Sequence, residues 1–344
     1  MRFVDLEAEY AFYEKDINNN IQRVLSSGRY LLGSELERLE KNFSCVSGMK
    51  NSVGVKNCTD AIMLLLSYLY TPEMPIILPN FGAYPTAVAC RNFTDKIYYV
   101  DVDRSMTIDV SKLPDVRNGI IIPVHLFGNN CNMDKIMNYA RENNHIVIED
   151  CAQSAGSLSG ATGDYSVFSF YPTKPIGAMG DGGMICSNLD LDVFKKLRFY
   201  GQQDSQIEMV GVNSRMDEIQ SSIVNTKLNK YKILNNKRRQ IASRYLNIVD
   251  GINWDSNAVF HQFVVLFNKR DVVLDKLSKN CIPYMIHYKH HVSEMPPLEG
   301  KDNQVRYRVN DKCVSLPCFP FMEESEIAQV EDFLFKYKDY EFRE

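Results

Sequence analysis

Ile120-Ile121-Ile122-Pro123-Val124 and Ile146-Val147-Ile148-Glu149-Asp150 decide the fold. Each is a continuous apolar run that gives way to polar residues at its C-terminal end. A strand covered on one face alternates apolar and polar residues; these do not. They read as parallel strands buried on both faces, with C-terminal ends opening on a crevice. Residues 133–143 between them suit the crossover helix that a parallel pair needs. Working outward, short strands are expected at 52–55, 75–79 and 96–100. Helices are expected at 7–27, stopping at Gly28, at 34–44 with Leu36, Leu39 and Phe43 on one face, and at 60–66. From Tyr165 to Asn188 the pattern is two strands flanking a glycine-rich turn. Ser214 reads as the cap of a long helix, with Asp217 as its capping-box partner and Met216, Ile219 and Ile223 on one face. Asn236-Lys237-Arg238-Arg239 continues a helical pattern and reads as a solvated face. A strand at 260–266 and helices at 271–279 and 325–337 follow. The fold class is α/β: a mostly parallel central sheet in residues 1–235 and a smaller α+β domain in 236–344.

The chain has 344 residues, 24% of them charged, and a net charge of -4. That balance gives no electrostatic reason to expect nucleic acid or a membrane surface as partner. No run approaches the roughly 20 apolar residues of a membrane span. The N-terminal Met1-Arg2-Phe3-Val4-Asp5 lacks the basic-then-apolar layout of a signal peptide. The 9 cysteines are scattered and form no Cys-x-x-Cys pair, so reduced thiols in a cytoplasmic protein are expected. His290 and His291 lack acidic or cysteine partners at metal-ligand spacing, and no metal is expected.

Four segments carry chemistry. In Ser169-Phe170-Tyr171-Pro172-Thr173-Lys174, the lysine sits between an aromatic strand and glycines, in a stretch otherwise free of positive charge. Desolvation there would lower its pKa and supply the neutral amine that imine formation requires. Gly177, Gly180, Gly182 and Gly183 would let the backbone approach a flat ligand and adopt positive φ. In Glu149-Asp150-Cys151-Ala152-Gln153, Asp150 ends a buried strand and points into the crevice, whereas Glu149 points to the opposite side. A carboxylate there suits a protonated pyridine nitrogen; a capping carboxylate is the plainer alternative. The turn Val55-Lys56-Asn57-Cys58-Thr59-Asp60 leads a strand into a helix, which aims free N–H groups and a positive dipole end at an anion. Thr59 offers a hydroxyl to phosphate, or simply caps the helix, and Ser169 offers a second hydroxyl. Asn213 and Arg215 lie just before or inside the first turn of the helix after Gly211, another place for an anion.

Taken together, these blocks resemble the DegT/DnrJ/EryC1/StrS sugar aminotransferases, which have the type I aspartate-aminotransferase fold. The resemblance also runs through Phe3-Val4-Asp5-Leu6, Gly28-Arg29-Tyr30-Leu31-Leu32-Gly33, Pro123-Val124-His125-Leu126-Phe127-Gly128, Gly180-Asp181-Gly182-Gly183, Asn213-Ser214-Arg215-Met216-Asp217, His287-Tyr288 and Ser315-Leu316-Pro317. It implies pyridoxal 5'-phosphate as cofactor, with pyridoxamine 5'-phosphate as the intermediate form and Lys174 as the Schiff-base lysine. By the same resemblance Asp150 pairs with the pyridine nitrogen, Gln153 contacts the ring hydroxyl side, and Thr59, Ser169 and backbone near Cys58 hold the phosphate. Asn213 would reach the cofactor phosphate of a neighbouring subunit, making the site a property of a homodimer. Arg215, His287 and Tyr288 fall to the substrate. The chain departs from the family pattern at Cys58, commonly Gly, at Ala83, usually the ring-stacking aromatic, and at Ala155, often His. The stacking role then falls to Tyr84, with Phe81 as the alternative.

The implied reaction is a ping-pong transfer of the amino group of L-glutamate to a nucleotide-linked keto-6-deoxy sugar, dTDP-linked, at C3 or C4, for a cell-surface polysaccharide such as O-antigen. A lysine at 174 argues against the related dehydratases, which carry histidine there. An aminotransferase acting on an amino acid or cyclitol, or a non-catalytic homologue, are the competing readings. A dehydrogenase is disfavoured because no Gly-x-Gly-x-x-Gly run follows a strand.

Overall fold

In the computed structural model, which describes residues 1–157, 161–303 and 308–342, helix α1 (Leu6–Ser27) starts on Asp5. The Asp5 side chain accepts from Ala8 N, and the helix ends at Gly28, where φ is 66°. The chain then runs through α2 (Ser34–Ser47), β1 (Asn51–Val55), α3 (Cys58–Leu69), β2 (Ile76–Pro79), α4 (Pro85–Arg91), β3 (Ile97–Val100) and β4 (Ile120–Ile121). Next come α5 (Met133–Asn143), β5 (Ile146–Asp150), β6 (Tyr165–Ser169), β7 (Gly183–Ser187), α6 (Asp192–Leu197), β8 (Gln202–Gln203) and β9 (Gln206–Ile207). Then follow α7 (Glu218–Leu228), α8 (Tyr231–Leu246), β10 (Phe263–Leu266), α9 (Arg270–Lys279), β11 (Asp302–Asn303), β12 (Cys313–Leu316) and α10 (Glu324–Tyr337).

Eight strands form the central sheet in the order β1-β7-β6-β5-β4-β2-β3-β11, and β7 alone runs against its neighbours. The deciding runs behave as their composition requires. Ile76, Leu78, Ile120, Ile122 and Ile148 enter one core cluster, and Ile77, Ile121 and Val147 enter another with Ile136 and Ala140 of α5. Successive side chains thus go to opposite faces, and both faces are dry. Regular pairing of β4 ends sooner than the run 120–124 suggests, at Ile121, and Val124 regains a single bridge to Asp150. Pro123 between them has no N–H to give to a ladder.

A separate cluster is drawn from residues after 240 and includes Tyr245, Phe263, Phe267, Leu316 and Phe333 around the antiparallel pair β10–β12. Residues 292–303 return to the main sheet: Val292 and Leu298 join its core, and β11 extends its edge parallel to β3. No helix among the described residues is long and apolar enough to cross a membrane.

Two local expectations are corrected. Helix α7 starts at Glu218, and its cap is Asp217, which accepts from Gln220 N at 2.8 Å. Ser214 caps nothing. Its hydroxyl donates to Asp60 Oδ2 at 2.7 Å, so a tertiary contact has taken the group that the sequence offered to a helix end. Asn213 and Arg215 consequently lie on a non-helical segment ahead of α7, not in its first turn. The second correction concerns Arg238. It is 7% exposed, its guanidinium donates to Asn235 Oδ1, and burial lowers its pKa, so residues 236–239 are not a purely solvated face.

The Gly28–Gly33 block is fixed from α7. The Glu218 carboxylate accepts from the N–H groups of Gly33, Glu35 and Leu36, capping α2 from 183 residues away. A Cβ at Gly33 would lie 2.6 Å from that carboxylate, so any side chain there would displace it.

Candidate active site

The C-terminal ends of β5 and β6, the turn into α3 and the segment before α4 enclose a cavity of about 570 Å³. Its lining includes Asn57, Cys58, Thr59, Tyr84, Thr86, Asp150, Gln153, Ser169 and Lys174. Seven residues singled out from sequence thus meet in one space: Cys58, Thr59, Tyr84, Asp150, Gln153, Ser169 and Lys174. Asn213, Arg215, His287 and Tyr288 are not among its lining residues. A larger hollow of about 870 Å³, bordered by Asp103, Asp109, His125, Asp134 and Asp255, holds none of the candidate residues.

Lys174 is half-buried, and desolvation lowers its pKa, with the Asp150 carboxylate pulling it part of the way back up. Asp150 is 4% exposed. Its Oδ1 accepts from Ala152 N at 3.0 Å, and its Oδ2 accepts from the Thr86 hydroxyl at 2.6 Å. Thr86 is the residue that the sequence reading missed. It sits in the first turn of α4, where a threonine passes for ordinary helix-start chemistry. Glu149, one residue back, turns the other way and accepts from His125 Nε2 at 2.8 Å and from the N–H groups of Thr162 and Gly163. Because Cys131 N donates to His125 Nδ1, the imidazole hydrogen is on Nε2 and points at Glu149. The cluster His125, Glu149 and Cys151 is close enough to hold a metal, yet these contacts already occupy both imidazole nitrogens and both carboxylate oxygens.

The anion end is built by α3. Asn57, not Thr59, is its cap, accepting from Asp60 N at 2.8 Å; the helix therefore begins at Cys58, two residues before the expected start. Thr59 is left free of capping duty on the cavity wall. The glycines act differently from expectation. None of Gly177, Gly180, Gly182 and Gly183 has positive φ. A Cβ at Gly183 would come within 2.5 Å of the Asn57 backbone, and one at Gly177 within 2.3 Å of the Pro172 carbonyl. Their smallness seats β7 against the anion turn and folds the lysine loop back on itself. Burial pushes the Cys58 thiol well above its ordinary pKa, so this departure from the family pattern adds a neutral wall.

Gln153 is oriented from behind: its Oε1 accepts from Phe127 N at 2.6 Å and its Nε2 donates to the Tyr288 hydroxyl at 3.2 Å. Tyr288 therefore joins the cavity through Gln153. Phe81 does not face the cavity; it is 1% exposed and packs against Tyr288 and His291. Tyr84, 55% exposed at the rim, is the remaining ring of the two. Asn213 and Arg215 lie outside, tied to each other and to Tyr200.

His287 hydrogen-bonds Ser315 Oγ through Nδ1 and Gln262 through Nε2, and burial, with Lys174 adding to it, lowers its pKa to about 4. The native ring is therefore neutral where an unfolded histidine is charged, from about pH 6.5 down to about 4. The unfolded chain binds the extra proton there, so acid destabilises the native state, and stability is regained as pH rises through that window. Urea midpoints measured from pH 7 to pH 4 should fall less steeply in His287→Gln than in the parent. Equal slopes would refute a neutral buried His287.

Against this geometry, the DegT/DnrJ/EryC1/StrS aminotransferase family matches residues 12–335. The chain belongs to this family. It is 33% identical, over 95% of each chain, to a UDP-N-acetyl-3-dehydro-alpha-D-glucosamine 3-aminotransferase of Acidithiobacillus ferrooxidans. It is 32% identical, over 97% of this chain and 99% of the other, to a dTDP-3-amino-3,6-dideoxy-alpha-D-galactopyranose transaminase of Aneurinibacillus thermoaerophilus. The crystal structure of S. venezuelae DesV in complex with a ketimine intermediate superposes with a TM-score of 0.91 at 28% identity, covering 98% of each chain. As a DegT/DnrJ/EryC1/StrS aminotransferase of the type I fold, the protein uses pyridoxal phosphate. The residues present fit that group. A desolvated amine and a buried carboxylate face one cavity, and a helix N-terminus with a hydroxyl on its first turn faces the same space.

Proposed function

We propose that the protein transfers the amino group of L-glutamate to C3 of a nucleotide-linked keto-6-deoxy sugar, dTDP-linked, and works as a homodimer. One observation carries this reading: Lys174 and Asp150 open on the same cavity as the N-terminus of α3. The nucleotide-sugar class is supported by the two relatives above, whose names agree on C3 and differ in the nucleotide.

Pyridoxal phosphate, when bound, supplies the carbonyl that carries the nitrogen and a ring that withdraws electrons. The chain's own groups do the rest. Thr59, Ser169 and the N–H groups of Cys58 and Thr59 bind the phosphate, and Asp150 holds the ring nitrogen. Gln153 orients the hydroxyl side of the ring, and Tyr84 covers its face. Lys174 Nζ first anchors the cofactor. It then serves as base at the donor's α-carbon, a role that desolvation and a lowered pKa favour. Asn213 reaches the phosphate bound by the neighbouring subunit, while Arg215, His287 and Tyr288 serve the substrate.

Glutamate-dependent amination of a panel of dTDP-, UDP- and GDP-linked 3-keto and 4-keto sugars tests the proposal, read as product mass and 2-oxoglutarate released. A dTDP-linked 3-keto-6-deoxy sugar should give the highest kcat/KM. Turnover confined to amino acids or cyclitols would overturn the sugar reading, and faster turnover of a 4-keto sugar would overturn the assignment to C3.

A further inference from the structure

Asn213, Arg215 and Tyr200 form a closed unit on the surface. Arg215 Nε lies 3.0 Å from Asn213 Oδ1, and Asn213 Nδ2 lies 2.9 Å from the Tyr200 hydroxyl. The orientation of the amide follows from chemistry, since a guanidinium N–H can only donate and must face the carbonyl oxygen. Nδ2 therefore donates one hydrogen to Tyr200 and keeps a second, and the tyrosine hydroxyl keeps its own hydrogen as well. The guanidinium is steadied by the rings of Phe199 and Tyr200, at 4.8 and 6.0 Å from their centroids. Arg215 forms no ion pair among the described residues.

Backbone contacts hold the two halves of the unit together. Tyr200 N donates to Val212 O at 2.9 Å, Ser214 N donates to Arg198 O at 2.9 Å, and Phe199 bridges Asn213. A Cβ at Gly211 would lie 2.3 Å from Gly201 N, so the strands of this clasp touch. Tyr200 has φ of 60° and is 45% exposed. The result is a patch whose remaining hydrogens are all donors, suited to a dianionic phosphate monoester.

We infer that Tyr200 is a positioning residue for phosphate binding in trans: it and Arg215 fix the Asn213 amide so that its second N–H meets the cofactor phosphate held by the other subunit. This rests on the proposed homodimer with a shared site. A charge-assisted hydrogen bond held in one orientation accounts for about a tenfold difference in affinity.

The test is titration of apoenzyme with pyridoxal phosphate, followed by the visible absorbance of lysine-bound cofactor, with dimer content checked by size-exclusion chromatography. Tyr200→Phe removes only the hydroxyl and should weaken binding about tenfold, and Asn213→Ala should weaken it at least as much, both with an unchanged dimer. The hybrid experiment separates trans from cis. Tyr200→Phe chains mixed with excess Lys174→Ala chains form dimers whose one intact lysine lies in the Tyr200→Phe chain. That lysine site takes its Asn213 from the unmodified clasp of the other chain and should regain parent affinity. Retention of the defect in the hybrid overturns the inference. So does a Tyr200→Phe homodimer that binds as tightly as the parent while Asn213→Ala does not. If Asn213→Ala itself binds normally, the shared-site reading fails, and the role of Tyr200 with it.

Discussion

Lys174→Ala should lower turnover on the order of 10⁴-fold or more, the largest effect of any single substitution in this protein. Among the described residues lining the cavity, it is the only lysine, and no arginine is present to stand in. In the proposed reaction its amine has two duties, anchoring the cofactor and moving the donor's proton, and alanine removes both. The environment suits that use: burial lowers the pKa, while the Asp150 carboxylate limits the drop. Cavity shape should survive, because the loop is held by Lys174 N to Tyr171 O and by the close approach of Gly177 to Pro172. Rapid mixing with glutamate measures the half-reaction directly. A small primary amine added to the variant should restore part of the proton transfer, which a misfolded protein would not allow. Full turnover in Lys174→Ala would end the reading of this cavity as the reaction site.

The parts of the fold that were legible are those set by strict periods. The runs at 120 and 146 declare two buried faces, and because side chains alternate along β5, choosing Asp150 over Glu149 required only parity. Gly28 and the α5 bounds were legible for equally local reasons. What escaped depends on contacts far apart in the chain. Ser214-Arg215-Met216-Asp217 satisfies the capping-box spacing, yet Asp60, 154 residues away, takes the serine hydroxyl and leaves Asp217 as the cap. Arg238 looks solvated by composition, yet α8 buries it beside Glu9 and Tyr13 of α1 and against Cys318. Phe81 and Tyr84 are equally aromatic in the sequence, and only tertiary packing shows that one is core and the other rim.

Asp150→Asn should cost on the order of 10³-fold in turnover with little change in dimer content. The amide keeps the shape of the carboxylate but carries no charge for a protonated ring nitrogen. The ring would then withdraw electrons poorly, and loss of the donor's α-proton would become limiting. A primary deuterium isotope effect from α-deuterated glutamate should therefore rise in the variant. Thr86 offers a finer probe of the same site. Its hydroxyl, 2.6 Å from Asp150 Oδ2, holds the carboxylate in place at the cavity wall. Thr86→Val keeps the side-chain volume and removes that hydrogen bond, for an expected loss of about tenfold. Thr86→Ser should recover most of it, since the hydroxyl rather than the methyl group faces the carboxylate. If Thr86 were merely a helix-start residue, valine and serine would differ in stability and leave the isotope effect unchanged. If it positions Asp150, the isotope effect in Thr86→Val should shift toward that of Asp150→Asn, because both substitutions weaken the same electron sink.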